Sequence, residues 1–87
     1  MTSTAPGRVR LELPADREYT RVARAAVAVL ARREGYDVRR VNALQLDVGE
    51  ALNDLIERSG TADRLELVLS ADSGTVEFTI GLAGQPV

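Results

Sequence analysis

The sequence has no cysteine, no histidine, no tryptophan and no lysine. Without Cys there is no disulfide or thiolate, and without His no imidazole to serve as acid, base or metal ligand. Zinc sites, thiol redox chemistry and histidine-centred catalysis are excluded together. Aromatics are scarce, two Tyr and one Phe in 87 residues, so any core is aliphatic. No stretch approaches the roughly 18–20 apolar residues of a membrane span. The leading MTSTAPG lacks the apolar run of a signal peptide. A cytoplasmic protein without membrane contact is the expectation.

What remains is enough for one small domain. A hydrophobic content of 45% supports a folded core and argues against disorder. A chain this short buries only about 60–65% of the surface its unfolded form exposes, so its stability is marginal. The net charge of −2 hides an uneven distribution. Residues 1–40 carry nine Arg against five acids, whereas residues 41–87 carry two Arg against eight acids. Every basic residue is Arg, which fits either genome composition or a preference for forked, bidentate donors. With an acidic balance and no basic-aromatic face, nucleic acid is not an expected partner.

Hydrophobic patterning divides the chain into five elements. In RVRLELP, Val9, Leu11 and Leu13 alternate with Arg8, Arg10 and Glu12, a half-buried strand over residues 8–13 that Pro14 ends. PADREYTRVARAAVAVLARREG predicts a helix with Asp16 as N-cap and Gly35 as its stop. Its expected buried stripe is Tyr19, Val22, Ala26, Val29 and Leu30. A second helix is predicted from Asp37 or Val38 to about Arg58, with Gly60 closing it. Val41, Leu44, Val48, Leu52, Leu55 and Ile56 form its apolar face. RLELVLS and TVEFTIGL are two alternating strands joined by a tight turn at ADSG, hence an antiparallel hairpin. The expected fold is an α+β two-layer sandwich of order β-α-α-β-β, with both helices on one face of a small antiparallel sheet. Strand one is expected at an edge. Residues 1–6 read as a loose N-terminus and 7–87 as a single domain.

Several segments carry chemistry-bearing residues. Asp47, Glu50, Asp54 and Glu57 fall three or four apart and share one side of the second helix, as a solvated acidic face would. Arg17, Arg21, Arg24 and Arg32 lie near one stripe of the first helix. They form either a solvated face or a docking surface, for which the planar Arg fork is well suited.

In their order these segments resemble the anti-sigma-factor serine kinases of the GHKL superfamily of ATP-binding domains. Tyr19, Arg21 and Val22 match an aromatic-x-Arg-Val pattern on the first helix of that family. EALNDLI, residues 50–56, stands where the family has its N-box, and LAGQP, residues 82–86, where it has Asp-x-Gly-x-Gly. The likeness spans nearly the whole chain but corresponds to the first two-thirds of such a domain. It implies a base at Glu50 and a Mg²⁺ ligand near Asn53, where this sequence is one residue out of register and offers Asp54. A carboxylate can hold Mg²⁺, but Leu82 replaces the Asp that reads adenine, and Pro86 replaces the second Gly. The family's ATP lid has no counterpart in the 87 residues. Glu50, Asn53, Asp54 and Gly84 are accordingly expected to be vestigial, and neither ATP nor Mg²⁺ is expected to bind.

The resemblance further implies that Arg21 lies on the partner-docking surface, where the family meets acidic groups of a sigma factor or anti-anti-sigma factor. Arg17 and Arg24 are expected to flank it. A homodimer is expected through the edge Arg8, Arg10 and Glu12, with Arg10 facing Glu12 across a two-fold axis. Three readings thus arise: a non-catalytic docking module, the N-terminal part of an ATP-dependent serine kinase, and a structural homo-oligomer.

Overall fold

A computed structural model describes residues 7–60 and 63–83. Strand β1 (Gly7–Pro14) leads through a 3₁₀ turn at Arg17–Tyr19 into helix α1 (Thr20–Arg33). Helix α2 (Val38–Arg58) and strands β2 (Arg64–Asp72) and β3 (Thr75–Leu82) follow. The sheet order is β1-β2-β3, antiparallel throughout. The α+β sandwich of order β-α-α-β-β and the edge position of the first strand are as expected.

Strict alternation fixes the sheet. Val9, Leu11 and Leu13 pair with Leu69, Leu67 and Leu65, which pair in turn with Phe78, Ile80 and Leu82. These rows form one apolar face under the helices. The three β2 leucines are fully buried. On the other face Glu12 stands directly opposite Glu66, an unfavourable like-charge pair. Two Arg relieve it: Arg10 reaches Glu66 at 3.1 Å, and Arg64 holds Glu12. Arg10 and Glu12, expected to meet across a dimer edge, therefore both have partners within the sheet.

Backbone requirements set the turns. Ser73 (φ 53°) and Gly74 (φ 83°) form the two-residue loop between β2 and β3. Two consecutive left-handed residues match the right-handed twist of a hairpin. Helix α1 closes on Gly35 at φ 90°. There Gly35 N–H donates to the Arg32 carbonyl and Tyr36 N–H to the Ala31 carbonyl, so the terminal carbonyls are satisfied. Tyr36 then accepts a hydrogen bond from Val76 N–H at 2.9 Å, which ties the interhelical loop to β3. Asp37 caps α2 by accepting from Arg40 N–H. That helix ends at Arg58, as expected, but its C-cap is Ser59 rather than Gly60, with the Ser59 hydroxyl donating to the Leu55 carbonyl. Asp16 caps the 3₁₀ turn rather than α1 itself.

The buried stripe of α1 differs from expectation. Tyr19, Val22 and Val29 are 40%, 47% and 57% exposed, and Ala26 and Leu30 are half-buried. The residues turned inward are Thr20, Ala23, Val27, Ala28 and Ala31. The cause is steric: α1 lies against α2 as well as the sheet, and small side chains let it approach both. Gly49 faces α1 from the other side. A methyl group there would stand 3.5 Å from Arg24 Cδ and 3.8 Å from Thr20 Cγ2, ordinary contact distances. Gly49→Ala therefore removes a helix-interior glycine without a clash, and a stabilisation of about 0.5–1 kcal/mol is expected. Thermal melts should show a rise of several degrees, at about 4–8 °C per kcal/mol for a domain of this size. A fall would mean that the helices cannot accept one methyl group between them.

Candidate functional site

Helix α1 contains four Arg and no acid. Its Arg residues cannot neutralise one another, so each must find an acid elsewhere or remain solvated. Arg17, in the preceding turn, finds one: its guanidinium donates to Glu57 Oε2 at 2.8 Å, bridging to the end of α2. Arg24 lays its stem along Gly49, while its backbone carbonyl accepts from Gln45 Nε2 at 3.0 Å. Arg21 is exposed, and among the described residues it makes no ion pair. Arg17, Glu18 and Arg21 line a hollow of about 460 Å³. The three Arg selected from the sequence thus border one stretch of surface in three different states: paired, stem-packed and free.

The residues that match the N-box have separate neighbours. Asn53 Oδ1 accepts from the Thr20 hydroxyl at 3.2 Å, a part-buried bond that joins the two helices. It satisfies Thr20, the one buried polar side chain among the described residues. Asp54 is held by Arg58 one turn on, at 3.0 Å, and Glu50 is exposed. Leu82 is half-buried and paired with Leu65 on the apolar face of the sheet. Gly84 and Pro86 lie outside the described residues. Asp47, Glu50, Asp54 and Glu57 are all exposed, as a solvated acidic face requires.

Sequence reasoning missed the apolar part of the helical surface. Val22 and Val29, assigned to the core, lie on the solvent side of α1, and Leu46 on α2 is 59% exposed. The available signal was a pair of competing apolar stripes on α1, of which only one can face the sheet. Among the described residues, no helix is long and apolar enough to cross a membrane. Likewise, no group of three or more His, Cys, Asp or Glu is placed to hold a metal ion. No family model matches the chain, and no curated protein matches it.

Proposed function

We propose that the chain is a non-catalytic, cytoplasmic protein-interaction module that docks an acidic partner through the Arg17, Arg21 and Arg24 side of α1. One observation carries this reading: Arg21 is exposed, sits on a helix without acids and has no ion-pair partner among the described residues. A guanidinium is weakly hydrated and holds a carboxylate through two parallel bonds, so it is the cation that docks with least desolvation cost. Its neighbours leave it accessible: Arg17 is drawn toward Glu57, and Arg24 is held along Gly49. By the resemblance to anti-sigma kinases, the partner is a sigma factor, an anti-anti-sigma factor or a similar regulator.

The non-catalytic part of the proposal rests on the N-box residues. Asn53 is committed to Thr20 and Asp54 to Arg58, which leaves Glu50 without the converging ligands that a Mg–nucleotide site needs. Titration of the purified protein with ATP and Mg²⁺ is expected to leave its melting temperature unchanged. Saturable stabilisation, about 2.7 kcal/mol at a hundredfold excess over Kd, would revive the kinase reading. For the docking part, the immobilised chain should retain an acidic protein from native extract, and loss of Arg21 should abolish that retention.

A further inference from the structure

We infer that the outer edge of β3 is a homodimer interface, where a second copy adds its own β3 antiparallel and doubles the three-stranded sheet. The observations differ from those behind the docking proposal. They concern the sheet alone.

The direction of the backbone groups comes first. In an antiparallel ladder, alternate residues bond one neighbouring strand and turn their N–H and C=O to the other side. Ala83 N–H, just past β3, donates to the Arg64 carbonyl of β2. Val76 N–H points the opposite way and donates to the Tyr36 hydroxyl. The odd-numbered residues of β3 therefore face β2, and Phe78, Ile80 and Leu82 present their backbone groups outward. Among the described residues, no strand lies on that side.

The two edges of the sheet differ in kind. Ala15 N–H donates to the Asp63 carbonyl, so by the same alternation β1 turns Arg8, Arg10, Glu12 and Pro14 outward. Charges and a residue without an N–H discourage the addition of a strand. At β3 the outward residues are all apolar and half-buried, packed against the core under the helices. The only charge within β3 is Glu77. Such an edge is a template for another strand.

Self-complementarity selects a second copy as that strand. The outward residues are spaced evenly about Ile80, so a two-fold axis there pairs all of them. Ile80 meets Ile80 of the second copy and Phe78 meets its Leu82, each pair exchanging both backbone bonds. Thr79 then lies opposite Gly81, and Glu77 opposite Ala83, which keeps the two Glu77 carboxylates far apart. Pairing stops at Val76, where Tyr36 already holds the edge. The axis stands perpendicular to the sheet, so all the helices lie on one face. The apolar rows Leu65–Leu82 and Leu67–Ile80 then continue from one copy into the other. A single strand makes a small contact, and association is expected at micromolar rather than nanomolar concentration.

Sedimentation velocity of the whole chain from low to high micromolar concentration should show monomer giving way to dimer. Over the same range, amide exchange at Phe78, Ile80 and Leu82 should slow several-fold, while exchange at Arg10 and Glu12 should not change. The chain has no cysteine, so single replacements report the register. In Ile80→Cys the two thiols stand opposite each other at a Cα separation of about 5.5 Å, within disulfide range. Mild oxidation should link this variant into a covalent dimer and leave Thr79→Cys and Arg10→Cys largely monomeric. A monomer at every concentration, edge amides protected at every dilution, or faster crosslinking at Thr79 or Arg10 than at Ile80 each overturns the assignment. Docking at Arg21 is read separately, by retention of the acidic partner. Capture by a strictly monomeric protein sinks this inference alone, and a dimer that captures nothing sinks the docking proposal alone.

Discussion

Arg21→Ala is expected to weaken capture of an acidic protein partner at least tenfold while barely moving the melting temperature. The binding loss follows from the state of Arg21. An Arg that becomes buried at an interface costs about 2 kcal/mol or more on truncation, partly because it leaves a partner carboxylate unpaired. At about 1.4 kcal/mol per tenfold, that exceeds an order of magnitude in Kd. Fold stability should not follow, because Arg21 is exposed, makes no ion pair among the described residues, and Ala is the better helix former. Arg17→Ala should weaken capture less, since Arg17 must be drawn from Glu57 before it can serve a partner. Glu50→Ala should leave capture intact. Normal capture by the Arg21 variant together with failure of the Glu50 variant would move the working face to α2 and end the proposal.

The sheet was legible in the sequence because a period of two leaves little choice. Leu65, Leu67 and Leu69 can share a face only with each other, and Val76, Phe78 and Ile80 only with each other. A slip of one residue would turn Glu66 or Glu77 inward. Helix α2 was legible for a related reason: Val41, Leu44, Val48, Leu52 and Leu55 recur every three or four residues, and all are buried or half-buried. The pairings of Glu12 and Glu66 with Arg were not legible, because they depend on a register that no single strand reveals.

Helix α1 defeats the same approach for a physical reason. Its apolar residues cover most of its circumference, so two stripes with three- and four-residue spacing coexist. One, the expected stripe, contains Tyr19, Val22, Ala26, Val29 and Leu30, the other Ala23, Val27, Ala28 and Ala31. Ranking by hydrophobic area favours the first, since it holds more large side chains. Packing favours the second, because a helix wedged between a sheet and a neighbouring helix gains more from close approach than from bulk. The unburied stripe is then left on the surface beside Arg21 and Arg32. This is why core and docking surface could not be separated from the residues alone.

The adjacent pair Val27 and Val29 tests that inversion with the largest stability effect expected anywhere in the chain. Val27 is fully buried and packs in the cluster that holds Val48, Leu52 and the β2 leucines. A carboxylate at this position meets an aliphatic surround and no cation, and an uncompensated buried charge costs several kcal/mol. Average stabilities of about 0.05–0.15 kcal/mol per residue give a domain of this length only about 4–13 kcal/mol in total. Val27→Asp should therefore leave the protein unfolded or molten at neutral pH, with a broad loss of amide dispersion in its NMR spectrum. Acidification should recover part of the fold, since protonation removes the buried charge: the folded-state pKa of the new Asp is raised, so its destabilisation is largest above that pKa and fades below it. Val29→Asp, two residues on, should shift stability by no more than about 0.5 kcal/mol, as surface changes do. Had the size-ranked stripe been the buried one, the two results would exchange places. A stable Val27→Asp protein beside an unfolded Val29→Asp protein would reverse the orientation of α1, and with it the surface on which Arg21 stands.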